Sequence, residues 1–599
     1  MATDNQQKKL GLALSGGGFR ASYFHIGVLA QMAEQGLLRD VEVISAVSGG
    51  SIIAALYYLH VKKLLESKPD ADVEDQDYID LVKRIETDFK KATDRNIRLR
   101  TFADFQSNLK MARANYSRTD RISELYNAYL YRGVLNNVSD PVQLRELKIH
   151  PPGEPEDFHP KTGNASRRAK VPILNINAAV LNNGQDWQFT AQSMGEPLGD
   201  EDVQQLPETV TPADIYRRAP SYWDLAPHQQ NFELGHAVGA SACVPGLFPP
   251  LAVSGLYQDK DDNIRIQLVD GGVYDNQGIE ALLWAGCTHF IVSDASLQLA
   301  VEDEPRTDTL PVLLRAANCV TPDRLRSETF DNLFDTFGRD KTAFMHLRKD
   351  LEVRKIPWID QDGNPAKGKD TSIPPKTEDF GIASTVQELL SKVRTDLDAF
   401  TEVEAYSMML DGYRMSAPEL NTFRHRNGFG AAQAQSTAQW SFLSIAPKIE
   451  APSEDYRNQL KVSGLRFGKA MMLIPALSAL ISLLILLLLV ILWPYLKLLL
   501  EIRIPLSAIA VLIAVVVAYK YLMKWERMFE HVKPLRLAVD AVKRIVLNVA
   551  PALLLMPFIW IHLRLINPLY LWRGRVDNLD LNAKDRFRHF LKWLKSELA

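Results

Sequence analysis

The chain has 599 residues, and because a single hydrophobic core stops growing at about 250 to 300 residues, at least two structural units are expected. Hydrophobic residues make up 46% of the chain and charged residues 24%, and the formal net charge of -3 gives no electrostatic support for a nucleic-acid partner. The three cysteines, Cys243, Cys287 and Cys319, lack metal-ligand spacing, so neither a disulfide framework nor a zinc site is predicted.

The N-terminal residues contain no apolar segment and no small-residue cleavage site, so we expect the first domain to stay in the cytoplasm. The first predicted strand, Leu10 to Leu14, ends in Gly16, Gly17 and Gly18 before a predicted helix. Glycines at a helix N-terminus expose backbone N–H groups that suit negative charge. The loop lacks both the GxGxxG spacing and the Gly-Lys-Ser/Thr ending of nucleotide sites, which disfavours a nucleotide-binding module.

The second predicted strand, Val41 to Val47, runs through Ser48 into an apolar helix, the context of a nucleophile elbow. Such a turn needs small residues two positions either side of the serine. Here these are Gly50 and Ala46, and Ala46 departs from the usual GxSxG pattern. Ser48 acting only as a helix N-cap is the structural alternative. Ser51 is a competing serine, but it falls inside the helix.

Further strands are predicted at 172–180, 264–269 and 290–292, and their alternation with helical patterns indicates an α/β sheet. Asp270 follows one of these strands and precedes two glycines, which makes it a candidate base for a serine hydroxyl. Taken alone, Asp-Gly-Gly is also a good turn. A turn-capping role suits the nearby Asp275 better.

The charged, helix-like stretch of about 67–170 is predicted to be an insertion or cap over the sheet, and 360–375 a surface loop. Apolar segments at about 470–493, 504–521 and 545–563 predict a membrane domain within 456–565. The third segment contains Pro551, Pro557 and His562 and is expected either to span or to dip into the bilayer. Three spans would place the basic tail outside, which favours two.

The tail, 566–599, is predicted to contain a basic amphipathic helix that lies on an anionic membrane surface or, alternatively, packs as an ordinary terminal helix. The region before the membrane segments, 1–455, is predicted to be the catalytic domain.

Taken in order, the glycine loop, the Ser48 elbow and Asp270 resemble the motifs of the patatin-like phospholipases. Residues 240–250, AlaSerAlaCysValProGlyLeuPheProPro, and the strand at 175–182 are similar to further segments of that family. The resemblance implies a three-layer α/β/α sandwich followed by C-terminal transmembrane helices.

By the same resemblance, Ser48 is the nucleophile, Asp270 is its base in a Ser/Asp dyad, and Gly16, Gly17 and Gly18 donate N–H groups to the oxyanion. The loop is also similar to that of cytosolic phospholipases A2, which implies that Arg20 meets a substrate phosphate. The alternative is that Arg20 pairs with a local carboxylate. His25 and His236 lie outside the motif positions and are predicted to be packed or capping residues.

The sequence therefore predicts an integral membrane hydrolase that cleaves fatty acyl esters of phospholipids, with its catalytic domain on the cytoplasmic side. No metal or cofactor is predicted, and the expected partners are the phospholipid substrate and the bilayer. An inactive membrane scaffold or lipid-binding protein of the same fold is the alternative. Headgroup, acyl position and any homo-oligomer are left open.

Overall fold

The computed structural model describes residues 8–113, 115–135, 140–197, 217–227, 229–259, 262–296, 304–349, 351, 358–359, 361–364, 380–430, 439–501 and 544–598. The predicted apolar segment at 504–521 and most of the predicted loop at 360–375 lie outside these residues.

A nine-stranded mixed sheet forms the centre of the molecule. Its main path runs in the order β5-β4-β3-β2-β1-β8-β9, and β6 and β7 form a hairpin that joins it at β3. The five strands from β3 to β9 along this path are parallel to one another, while β4, β5 and the hairpin run antiparallel to their neighbours. The strands are β1 (Leu10–Leu14), β2 (Val41–Val47), β3 (Ile173–Val180), β4 (Asp186–Phe189), β5 (Met194–Gly195), β6 (Leu251–Asp259), β7 (Asp262–Asp270), β8 (His289–Asp294) and β9 (Thr342–His346).

Helices cover both faces of the sheet, which confirms the predicted α/β class. Successive residues of a strand point to opposite faces, and in β1 Leu12 and Leu14 belong to one hydrophobic cluster while Ala13 belongs to the other. The α-helices are α1 (Gly18–Glu34), α2 (Gly49–Ser67), α3 (Asp75–Thr93), α4 (Ile97–Arg100), α5 (Phe105–Lys110), α6 (Arg118–Tyr126), α7 (Pro160–Gly163), α8 (Leu234–Ser241), α9 (Ile279–Trp284), α10 (Thr309–Arg315), α11 (Thr321–Phe337), α12 (Ser384–Ser391), α13 (Glu402–Asn427), α14 (Ala446–Glu450), α15 (Glu454–Ser463), α16 (Lys469–Leu473), α17 (Pro475–Glu501), α18 (Ala550–Ile561), α19 (Asn567–Arg573) and α20 (Ala583–Leu598).

The edge of β3 brings two distant strands end to end. β2 pairs with β3 only as far as Val47, which lies opposite Asn177. β7 pairs with the next residues of β3, and its last residue, Asp270, lies opposite Ala178. Because β4 occupies the other edge of β3 at this level, β2 and β7 share one edge and meet at their C-terminal ends. The fold thereby brings Ser48 and Asp270 to one point.

Helix α1, which follows the glycine loop, packs closely against α13. A methyl group on Gly27 would lie 1.9 Å from the Met409 carbonyl oxygen, and one on Gly412 would lie 2.2 Å from the Phe24 carbonyl oxygen. Each helix therefore uses a glycine where it touches the other, and α13 is part of the same core as the sheet.

The predicted insertion contributes to the main hydrophobic core. In α3, Phe89 makes ring contacts with Phe19 and Tyr23 of α1, at centroid distances of 5.7 and 5.1 Å. Further along, α6 packs against α8. The segment therefore packs among the helices that cover one face of the sheet.

The C-terminal region contains exposed apolar helices. One helix in the described part of the chain, Ala550–Arg573, is long and apolar enough to cross a membrane by length and composition. It belongs to a continuous helical run, residues 544–573, here called the long C-terminal helix. Helix α17 also exposes large apolar side chains, among them Leu483, Leu486 and Trp493.

The long C-terminal helix touches the predicted catalytic domain, residues 1–455, at its start, middle and end. Arg544 Nε donates to the Ala112 carbonyl at 3.1 Å, Trp560 Nε1 donates to the Ala103 carbonyl at 2.9 Å, and Asn567 Nδ2 donates to the Asp94 carbonyl at 3.0 Å. The predicted segment 545–563 therefore lies along the surface of the catalytic domain.

The chain after this helix also packs onto the catalytic domain. The Val403 N–H donates to the Gly574 carbonyl at 3.0 Å, and Leu579 belongs to the main hydrophobic cluster. The helix predicted in the basic tail is present as α20, and its Phe590 and Trp593 rings lie 5.2 and 6.0 Å from the Trp572 ring. The tail helix is thus packed on one side.

Candidate active site

Ser48 occupies a strained turn between β2 and α2. Its φ of 52° and ψ of -117° place a non-glycine residue in a region that costs about 1–3 kcal/mol, and only Asn96 and Asp580 share a positive φ among the described non-glycine residues. The Ser48 N–H donates to Ser241 Oγ at 2.9 Å, and Ser241 Oγ lies 2.8 Å from Ser51 Oγ. The surrounding hydrogen bonds hold this elbow.

Close backbone packing explains the small residues around the elbow. A Cβ on Gly50 would lie 2.1 Å from the Leu14 carbonyl oxygen, and a Cβ on Gly49 would lie 2.1 Å from the Gly18 carbonyl oxygen. Ala46, the departure from the usual glycine, lies opposite Leu14 in the sheet and is fully buried in the main core. The structure therefore accommodates the additional methyl group.

Asp270 lies beside this elbow with one oxygen uncommitted. The Gly272 N–H donates to Oδ1 at 2.8 Å, while Oδ2 is buried and has no partner of full hydrogen-bond geometry among the described residues. Burial raises the pKa of Asp270 to about 6, while the nearby Gly272 N–H and Ser48 hydroxyl act in the opposite direction. A carboxylate with this pKa is suited to accept a proton near neutral pH.

In the described part of the chain, no histidine hydrogen-bonds to Ser48 or Asp270. His25 Nδ1 lies 2.7 Å from Ser293 Oγ and its Nε2 lies 3.0 Å from the Ser15 carbonyl oxygen. Burial lowers the pKa of His25 to about 4, so this ring is neutral and acts as a structural link under the glycine loop. His236 pairs with Glu233 at 3.2 Å.

The three glycines of the loop differ in what their N–H groups do. The Gly16 N–H donates to the Asn276 carbonyl at 3.0 Å, so it is occupied in this conformation. The N–H groups of Gly17 and Gly18, with φ of 137° and 59°, have no partner among the described residues. The Gly49 N–H is also free among those residues and follows the serine directly, as in the oxyanion hole of other nucleophile elbows.

Arg20 lies inside the protein and away from solvent. Its guanidinium donates to the carbonyls of Ala295 at 2.7 Å, Val393 at 3.0 Å and Ser391 at 3.3 Å. Burial lowers its pKa to about 10, with the negative charge of Asp294 acting in the opposite direction. This geometry does not favour the predicted phosphate contact, since the side chain is fully buried and links three main-chain segments.

Two residues at the site were missed by sequence reasoning. A Cβ on Gly16 or Gly272 would lie within 2.5 Å of Asn276 Oδ1, so this amide is inserted between the two turns. Tyr126, from the predicted insertion, lies near Asp270, and burial followed by the Asp270 charge raises its pKa. The Asn that follows Asp275 in the turn sequence was an available signal for the first, whereas the sequence gives none for Tyr126.

A cavity of about 500 Å³ lies at the start of β3, beside Ile173 and Leu174, and therefore at the end of that strand away from Asp270. Ser48 itself is 6% exposed. Within the described residues, no group of three or more His, Cys, Asp or Glu side chains could hold a metal ion.

The site combines a serine on a strand-to-helix elbow, a buried carboxylate and free loop amides, which is the arrangement of a serine hydrolase. Residues 12–283, less than half of the chain, match the family model of the patatin-like phospholipases. No curated protein sequence matches the chain.

Among solved structures, the chain is similar to human GIVD cytosolic phospholipase A2 in complex with methyl gamma-linolenyl fluorophosphonate and terbium chloride, at 13% identity and a TM-score of 0.33, covering 70% of this chain and 59% of that one. A second structure of the human enzyme matches at 14% identity and a TM-score of 0.30, covering 71% and 64%. VipD from Legionella pneumophila matches at 11% identity and a TM-score of 0.23, covering 78% and 79%. The chain thus spans about three fifths of the length of the human structures. Similarities this low carry no inference about activity.

Proposed function

We propose that the chain is a membrane-associated serine lipid acyl hydrolase that cleaves fatty acyl esters of phospholipids. The observation that carries the proposal is the Ser48 hydroxyl on a strained elbow beside a buried carboxylate, Asp270, whose pKa is raised to about 6. The match of residues 12–283 to the patatin-like phospholipase family supports the lipid substrate class.

In the proposed reaction, Asp270 takes the hydroxyl proton as Ser48 Oγ attacks the acyl carbonyl carbon. The developing oxyanion accepts hydrogen bonds from the free amides of the loop and elbow, Gly17, Gly18 and Gly49. Removing a single donor of this kind typically costs about 3–4 kcal/mol of barrier. Protonated Asp270 returns this proton to the oxygen of the departing alcohol, which leaves an acyl-serine ester. Asp270 then takes a proton from the water that attacks this ester and passes it to Ser48 Oγ as the fatty acid is released. These steps require no metal or cofactor.

We propose that the long C-terminal helix lies in the membrane interface. The distance along its axis from Arg544 to Asn567 is about 35 Å, longer than the roughly 30 Å hydrocarbon core. Both ends contact the catalytic domain, at Ala112 and Asp94. If this helix crossed the bilayer, the charged segment from Asp94 to Ala112 would be drawn into the hydrocarbon core with it, which is energetically costly.

We assign the deeper anchor to α17 and the predicted segment at 504–521. Helix α17 starts next to the catalytic domain and exposes leucines on several sides. The chain is again in contact with that domain at the start of the long C-terminal helix, through Arg544 and Ala112. A membrane hairpin would place both of its ends on one side of the bilayer, and we propose that this is the cytoplasmic side.

The decisive experiment is hydrolysis of a phospholipid with a labelled fatty acyl chain by the full chain in mixed micelles. Ser48→Ala should abolish both release of the label and covalent reaction with a fluorophosphonate probe. Ser416→Ala is the matched control, since Ser416 is a buried serine of α13 whose Oγ donates to the Tyr413 carbonyl at 3.2 Å and makes no contact with the elbow among the described hydrogen bonds. It should leave the probe attached at Ser48. If the parent chain releases no acyl group and takes up no probe, the inactive scaffold is the correct reading.

A further inference from the structure

A second cavity, of about 380 Å³, lies between the catalytic domain and the long C-terminal helix. Its walls are mainly apolar and include Phe102 from the catalytic domain and Leu555 and Phe558 from the helix. One part of its lining is cationic and is formed by Arg98, Arg466 and Lys469. An apolar channel with a positive end matches a lipid that has an anionic headgroup.

The charges around this cavity do not cancel. Lys469 pairs with Asp398, and Arg98 pairs with Asp396 at 2.7 Å and with Asp398 at 3.4 Å. Arg466 is exposed and forms no ion pair with a described residue. Of the four charges named on the lining, only Asp398 is negative. The cavity therefore has a net positive end with one uncommitted guanidinium.

Several large apolar side chains on the lining of the cavity are also exposed. Phe467 is 81% exposed, Phe558 is 69% exposed and Leu555 is 54% exposed. Exposed apolar groups this large are unfavourable in water and are typical of membrane-contacting surfaces. The cationic residues and these apolar side chains line the same cavity, so a lipid that enters it would meet both.

We propose that this cavity binds one anionic phospholipid from the bilayer, with its phosphate at Arg466 and Arg98 and an acyl chain along Phe102 and Phe558. Arginine suits this role because its planar guanidinium can hold a phosphate with two hydrogen bonds. The site is separate from Ser48. The inference rests on the proposed membrane association and does not depend on hydrolysis.

The cavity is connected to the glycine loop through Asp396. The carboxylate of Asp396 pairs with Arg98, while its carbonyl accepts the Phe19 N–H at 3.1 Å. A Cβ on Gly18 would lie 2.8 Å from the same carbonyl oxygen. A phosphate that competes for Arg98 therefore acts on the segment that packs against an oxyanion donor, so lipid occupancy should alter turnover.

The test uses the full chain with Ser48→Ala, so that lipid is bound but not cleaved. Dioleoylphosphatidylglycerol and dioleoylphosphatidylcholine are titrated separately in micelles of a neutral detergent, and binding is measured by native mass spectrometry. The phosphatidylglycerol should bind about tenfold more tightly, and adding Arg466→Gln should remove about that factor. Arg324→Gln on α11 is the matched control, because Arg324 is also exposed, at 78% of its side chain. It should retain the parental affinity.

Two companion measurements examine the lipid itself. Glycerophosphoglycerol, the deacylated headgroup, should bind at least about tenfold more weakly than the phospholipid, because burial of the acyl chain supplies much of the affinity. Oleate should not displace the phospholipid at equal concentration. With Ser48 intact, turnover is measured with and without phosphatidylglycerol, in the parent chain and in Arg466→Gln. The lipid should change the turnover of the variant less than it changes the turnover of the parent.

Equal affinity for the two phospholipids, or unchanged affinity in Arg466→Gln, would overturn the assignment of an anionic headgroup. Tight binding of glycerophosphoglycerol would make this a headgroup site without an acyl channel, and displacement by oleate would make it a fatty-acid site. Each result is independent of hydrolysis at Ser48. Failure of this inference is therefore distinguishable from failure of the proposed activity.

Discussion

Replacing Asp270 by asparagine should separate the chemical role of this carboxylate from its effect on stability. Asparagine keeps the shape of the side chain and an oxygen that can accept the Gly272 N–H, which donates at 2.8 Å in the parent protein. It cannot take the Ser48 proton. We expect hydrolysis to be lost, and we expect the folded protein to become more stable at neutral pH because a buried charge is removed.

The magnitude follows from the pKa of Asp270, which burial raises from 3.8 to about 6. The folded protein holds this proton more tightly than the unfolded chain, so the group stabilises the fold as the pH falls through about 6. The effect is complete only below the unfolded pKa of 3.8. Across that range it amounts to about 3 kcal/mol, of which about 1 kcal/mol is gained between about pH 8 and pH 5.

The assay is urea denaturation of parent and Asp270→Asn at the two pH values in one neutral detergent. The variant should have a higher free energy of unfolding than the parent, and this difference should be about 1 kcal/mol larger at pH 8 than at pH 5. The other titrating groups are common to both proteins and cancel in the difference. In the parent, turnover should decrease as the pH falls below about 6, since the base becomes protonated.

The matched control is Asp411→Asn. Asp411 lies buried in α13, where burial raises its pKa to about 8, and it accepts a hydrogen bond from Gln387 at 3.1 Å. In Asp411→Asn, the dependence of the unfolding free energy on pH should change. The pH below which turnover decreases should stay near 6. The raised pKa of Asp270 would be refuted if Asp270→Asn and the parent differed in unfolding free energy by the same amount at pH 8 and at pH 5.

Four further substitutions test individual features of the site. Ser48→Gly should remove activity yet raise Tm, because glycine adopts the positive φ of the elbow without the cost of about 1–2 kcal/mol that a side chain incurs; a lower Tm would argue against strain there. Ala46→Gly should remain active but lose about 1 kcal/mol of unfolding free energy, measured by urea denaturation, through its greater backbone entropy in the unfolded chain. Ser241→Ala leaves the buried Ser48 N–H without its acceptor, so kcat should fall more than KM changes, with about 1–3 kcal/mol of stability lost. Arg20→Met should lower Tm strongly, and a selective rise in KM with an unchanged Tm would instead favour the phosphate-binding role.

The core of the sheet was predictable from the sequence because its strands are apolar runs bounded by turn residues. Predictions at 10–14 and 41–47 agree with the bounds of β1 and β2, and those at 172–180, 264–269 and 290–292 fall on β3, β7 and β8. The strands that were missed, β4, β5, β6 and β9, include a pair only a few residues long. Short strands are stabilised by their neighbours more than by their own composition.

The environment of each site residue was harder to predict. Arg20 follows the glycine loop in sequence, yet the carbonyls that bind it come from residues 295, 391 and 393, which no local pattern connects to it. Likewise, the Asn276 carbonyl accepts the Gly16 N–H, so of the three predicted oxyanion donors only the N–H groups of Gly17 and Gly18 are free among the described residues. Motif order indicated which residues gather at the site, whereas long-range packing decides what each one contacts.

The meeting of Ser48 and Asp270 is an example of that long-range packing. Neither residue's local sequence specifies the other, and their proximity depends on β3 extending beyond the end of β2, which leaves an edge that β7 can occupy in the opposite direction. Val47 lies opposite Asn177 and Asp270 lies opposite Ala178, so a shift of one residue in the pairing of β7 would move Asp270 along the strand and turn its side chain to the other face. The register of β7 on β3 is therefore as important to the proposed chemistry as the identity of the two residues, and the strained elbow and the buried carboxylate act together only in this register.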